Sequence, residues 1–159
     1  MLDKKFVESL RKNYIEKNSQ RRQIISSSSI ILNNSKKAIF ATHRQDIKLA
    51  EEKLKESEDI IKKIEKKFGL NRLREEGSFS ASIEEYVEAK LFLSFVKTKK
   101  ITKIKETKIS EEAYIGGICD FTGELIRLAT NEAINKNFTE IKKVKNIRSE
   151  EHTSELQSH

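Results

Sequence analysis

A chain of 159 residues with no proline, five glycines and 36% charged residues has the length of one domain and favours long helices over sheets and tight turns. A single cysteine, Cys119, excludes a disulfide framework; the polar start and the lack of any apolar run near about 18 residues exclude a secretory signal and a membrane span, so a cytoplasmic protein is expected. The net charge of +7 points to an anionic partner such as nucleic acid, although lysine-rich composition alone gives the same excess.

From Lys4 to about His43 the spacing predicts one long helix, broken at most once. Phe6, Leu10 and Tyr14 stand four apart, and Ile24, Ser28, Ile31, Ser35, Ala38 and Thr42 continue at three and four. The run Ser26 to Ser29 has the composition of a linker, but its isoleucine flanks favour a strip of small residues where helices pack closely. Ile47, Ala50, Leu54, Ser57, Ile61, Ile64 and Phe68 form the seam of a second amphipathic helix, ended by Gly69. Its lysines, Lys53, Lys62 and Lys66 among them, alternate with glutamates on what reads as a solvated face. After a short break around Glu76, Gly77 and Ser78, apolar residues recur every four at Phe79, Ile83, Val87, Leu91 and Phe95. Tyr86, Ala89, Phe92, Leu93 and Val96 fill the remaining directions, so this helix belongs in the middle of a bundle.

The basic stretch Lys97 to Lys105 follows, either a phosphate-steering patch or a solvated connector. Ser110 is a good N-cap for the next helix, with Glu111 and Glu112 at its positive end. On that helix Ile118, Phe121, Leu125 and Leu128 make an apolar side, opposite Asp120, Glu124, Arg127 and Asn131. After Asn137 a further helix is expected to begin. The last twelve residues, Arg148 to His159, read as the translation of a short sequencing adapter, so residues 1–147 are taken as the native helical domain, cut short by that tail. Arg148 against Glu150, Glu151 and Glu155 gives the tail a net −2, so residues 1–147 carry +9 and keep His43 as their only histidine.

Two pairs of acids stand out, the first of them away from any obviously solvated face. At about 100° per residue, Glu85 and Glu88 share a side with Ala81, Ala89 and Phe92. Asp120 and Glu124, four apart, share a face of the later helix. An unpaired buried carboxylate costs several kcal/mol or takes up a proton. The four acids therefore read as either a cation-holding nest or a buried acid and base network. Gly116, Gly117 and Gly123 each cost about 1 kcal/mol inside a helix, and so are expected to permit close approach of a neighbouring helix. His43 is either a nucleic-acid contact or a hydrogen-bonded residue on the helix surface, the latter favoured.

These residues resemble the translin superfamily, above all its nuclease-type members, translin-associated factor X and the archaeal translin-like proteins. The likeness is carried by Ser35-Lys36-Lys37, Ile39-Phe40 and His43-Arg44 in the first helix, and by Glu85-Tyr86-Val87-Glu88-Ala89, Phe92, Phe95 and Lys97-Thr98 in the central one. Tyr114, Gly117-Ile118, Asp120-Phe121-Thr122-Gly123-Glu124-Leu125 and Arg127 carry it in the fourth. The resemblance implies an all-α antiparallel bundle of long helices that assembles into homo-oligomers or translin-type hetero-oligomers, binds single-stranded RNA or DNA, and cleaves RNA with a divalent metal. It implies that Glu85, Glu88, Asp120 and Glu124 hold that metal. Family members have further helices beyond the point where the tail begins, and these are expected to be missing here.

Four carboxylates without a nearby thiolate suit a hard cation, Mg²⁺ or Mn²⁺. No Glu-x-x-His pair of the di-iron type occurs. The leading expectation is a metal-dependent endoribonuclease, with Glu85 as the group that orients or deprotonates the attacking water and Arg127 as either a phosphate contact or a salt-bridge partner of the acids. A non-catalytic nucleic-acid scaffold is the first alternative. An all-α nucleotide pyrophosphohydrolase is the second, ranked last because its acids normally end in Glu-x-x-Asp where this chain reads Asp-x-x-x-Glu.

Overall fold

A computed structural model describes residues 3–134. Five helices follow one another: α1 (Lys4–His43), α2 (Ile47–Phe68), α3 (Leu70–Arg74), α4 (Gly77–Thr98) and α5 (Glu111–Ile134). No strand occurs among the described residues, so the chain is the all-α bundle of long helices that its composition and periodicities predict. The helix expected after Asn137 and the tail 148–159 lie outside the described residues. Among those described, no helix is long and apolar enough to cross a membrane.

The first helix runs unbroken for 40 residues, its start capped by the Asp3 side chain, which accepts from the Lys5 N–H. Ser26 to Ser29 is helix and not linker, and the buried small-residue strip is narrower than its composition suggests. Ser28 is buried, whereas Ser26 and Ser29 face solvent. Phe6, Leu10 and Tyr14 keep their helical spacing but stand exposed on the part of α1 that precedes the core.

At the end of α1 the Arg44 N–H bonds back to Phe40 and Ala41, Gln45 takes φ +63°, and Asp46 caps α2 by accepting from the Leu49 N–H. So short a link forces α2 back along α1, and the bonds Asn34–Glu56 and Gln23–Lys67 fix that antiparallel register. Gly69 ends α2 with φ +78°, a conformation that favours glycine. The five-residue α3 was not expected from the sequence, since so short a run carries no periodic signal; it buries Leu73.

Helix α4 is apolar around its circumference because it packs against α1, α2 and α5 at once. After it, residues 99–110 return along α4 and α2. Glu106 pairs with Lys90 at 3.0 Å, Ile104 is buried with its N–H on the Tyr114 hydroxyl, and Lys108 lies 3.8 Å from Glu65. Helix α5 therefore starts beside the early turns of α4 and runs along it in the same direction. Gly117 sits against Glu84 and Val87, and further on Phe121 meets Phe95 edge to face.

A Cβ on Gly117 would lie 2.5 Å from the Val87 Cβ and 2.8 Å from the Glu84 carbonyl oxygen, so the α4–α5 approach requires a residue without one. Gly116 faces only the flexible Glu84 side chain. Gly123 has nothing within 4 Å of a Cβ position among the described residues, so none of these makes the close approach expected there.

Candidate metal centre

The glycine contact draws α5 onto α4 just before the turns that carry the four acids. Glu85 and Glu88 stand on α4 and Asp120 and Glu124 on α5, close enough that the α5 carboxylates act on both α4 carboxyls through space. Glu88 is 8% exposed and has no hydrogen bond or ion pair among the described residues. Burial, and then the charges of Glu85, Glu124 and Asp120, push its carboxyl up to about 7, with Lys36 opposing. Burial also holds Glu85 above the usual carboxylate range; Lys36 pulls it back, and Asp120 and Glu124 push it further. The Lys36 ammonium is 3.9 Å from Glu85 and half-exposed, so it compensates the cluster only weakly.

Glu124 has protein partners at both oxygens. Its Oε2 meets Nε2 of His43, and its Oε1 lies 3.7 Å from Arg127. Arg127 is half-exposed, with its guanidinium 5.4 Å from the centroid of the Phe40 ring. Asp120 is exposed, at the open side of the group.

Sequence reasoning placed His43 on the helix surface. In the structure its side chain is 8% exposed, tilted against the Phe92 ring with centroids 4.6 Å apart. One signal pointed here: Lys36, Phe40 and His43 stand at i, i+4 and i+7, so all three lie on one face of α1, and each contacts the acids or a residue that touches them.

The acids share one field, but they are not gathered into a closed ligand shell. Among the described residues no three His, Cys, Asp or Glu side chains stand close enough together to hold a metal ion as they are. The fit to a divalent cation is one of chemistry and charge. Among the described residues the donors are all carboxylates, the His43 imidazole is engaged with a carboxylate, and the buried Glu88 has no ion-pair partner. A hard ion among these oxygens would cancel the repulsion between them. A surface cleft of about 450 Å³ lies elsewhere, between α2, the end of α4 and the connector, lined by Leu54, Lys90, Lys97 and Ile104.

Fold and site together define an all-α bundle with an under-compensated acidic cluster between two of its helices. The sequence profile of the Translin family matches residues 19–157, and the chain belongs to that family. In fold it is similar to apo-NeC3PO, with a TM-score of 0.84 and 23% identity over 100% of this chain and 84% of that one. It is similar also to AfC3PO, alone (TM-score 0.82) and in complex with duplex RNA (TM-score 0.81), each at 20% identity over 96% of this chain and 80% of the other. No curated protein matches the chain.

Proposed function

We propose that this protein binds RNA and hydrolyses its phosphodiester bonds with Mg²⁺ or Mn²⁺ held by Glu85, Glu88, Asp120 and Glu124. The observation that carries the reading is Glu88, a carboxyl 8% exposed, set among three other acids and in an ion pair with no cation among the described residues. Membership of the Translin family supports it, as does a fold shared with AfC3PO, a protein seen in complex with duplex RNA.

A bound divalent ion supplies polarisation of a phosphoryl oxygen and a lowered pKa for a coordinated water. The protein's own groups divide the remaining work by position. Glu85 is less buried than Glu88 and sits where water has access, which suits it to orient the attacking water and take its proton. Arg127, braced on Phe40 beside Glu124, presents its guanidinium to a non-bridging phosphate oxygen. The exposed Lys100, Lys103 and Lys105 of the connector add sequence-independent, salt-sensitive attraction for the strand.

The test is cleavage of labelled single-stranded and duplex RNA, with and without Mg²⁺, by the wild-type chain and by Glu88→Ala. Metal-dependent cleavage that falls to background in Glu88→Ala, with RNA still bound, is the expected result. The open ligand shell favours a second reading, a nucleic-acid scaffold without catalysis. In that case the RNA is bound and left intact under every condition.

A further inference from the structure

His43 occupies a position that packing does not explain. The ring comes from the last turn of α1, lies on Phe92 of α4 and meets Glu124 of α5, so it ties together the three helices around the acids. A carboxylate only accepts hydrogen bonds, so Nε2 carries the proton in this contact. The other ring nitrogen, Nδ1, is buried without a partner among the described residues. Leaving a buried polar atom unmatched costs about 1–3 kcal/mol, and an apolar side chain against Phe92 would avoid that cost. The imidazole is thus held at a stability cost, and what it provides in return is the hydrogen bond to Glu124.

We propose that His43 is a positioning residue for Glu124. By holding Oε2 it fixes the carboxylate's rotamer and leaves Oε1, whose described contact is the long 3.7 Å pair with the half-exposed Arg127, as the oxygen that would meet a divalent cation. The effect is specific to this acid, because Glu88 has no hydrogen bond among the described residues and Glu85 has only the long contact to Lys36. Partners that orient a ligating group typically matter about 10–100-fold in metal affinity or activity. The inference rests on the metal-site reading above and assigns the α1 terminus a part in it.

The experiment measures Mn²⁺ affinity of the full chain by calorimetry, alongside RNA cleavage kinetics, for wild type, Glu88→Ala, His43→Leu, His43→Gln and His43→Asn. A glutamine amide can reach the place of Nε2, whereas an asparagine amide falls short of Glu124. His43→Leu and His43→Asn are expected to bind Mn²⁺ about 10–100-fold more weakly. His43→Gln is expected to recover most of the affinity, and at saturating metal the KM for RNA should be unchanged in all three. Should His43→Leu not fold, the Asn and Gln pair carries the comparison. Wild-type Mn²⁺ affinity in both folded Leu and Asn variants, or equal losses in Asn and Gln, would overturn the positioning role and leave the metal site standing. If the wild type and Glu88→Ala alike bind no Mn²⁺, the metal site itself is refuted and this role goes with it.

Discussion

Two glutamates in this bundle are equally buried and differently treated. Glu58 on α2 is 6% exposed, and both the Tyr86 hydroxyl, at 3.1 Å, and the Lys90 ammonium, at 2.6 Å, donate to its Oε1. Lys90 in turn reaches Glu106 of the connector. Glu88, two residues from both Tyr86 and Lys90 and so on the far side of α4 from them, has no such partner among the described residues and stands among other acids, with only Lys36 opposing them at a distance. Burial alone therefore does not mark a functional acid. The useful distinction is whether the fold supplies the counter-charge or leaves it to be supplied from outside.

The comparison can be broken most forcefully at Glu58. Glu58→Ala leaves the Tyr86 hydroxyl and part of the Lys90 charge unmatched, and should lower stability by about 3 kcal/mol in denaturant unfolding, with or without metal. Gly117→Ala forces a methyl into Val87 and the Glu84 carbonyl, costing about 2–3 kcal/mol. Because it parts α5 from α4, it should also weaken divalent-metal binding, which Glu58→Ala should not.

Glu88 should behave with the opposite sign. Its carboxyl is pushed from the ordinary 4.5 up to about 7 by folding, so between those values the unfolded chain loses its proton first and the contribution of Glu88 to metal-free stability falls as pH rises. Below about pH 4.5 Glu88 makes no difference to stability; above about pH 7 its penalty is fully present. Replacing it by Gln should therefore stabilise the metal-free protein at pH 8 by about 2 kcal/mol and flatten the fall between pH 4.5 and 7, as read by thermal melts across that range. A Glu88→Gln protein that melts below wild type at pH 8 would contradict the distinction between the two glutamates. The smallest effect belongs to Gly123→Ala, where open space and ordinary helical geometry allow a gain of about 0.5–1 kcal/mol.

Much of this was written in the sequence as repetition. A 40-residue helix, a second seam ending at Gly69 and a central helix apolar on all sides follow from spacings of three and four, because a helix must bury a stripe and the stripe must repeat. The α4 acids were legible for the same reason, as charges at positions where the repeat calls for burial, and the α5 acids only as a pair four apart on the side opposite the apolar stripe. Local pattern could not say which of three helical glycines was pressed against a neighbour, since Gly117 and Gly123 look alike until α4 is beside them. Nor could it place His43, because a contact between residues 43 and 124 depends on how three helices converge. Sequence alone determined which residues form the long helices and which of their faces are apolar, since those are properties of a few neighbouring turns. The tertiary structure alone decided that Glu58 is given a cation and Glu88 is not, because compensation of a buried charge comes from whatever other segments happen to stand within a few ångströms of it.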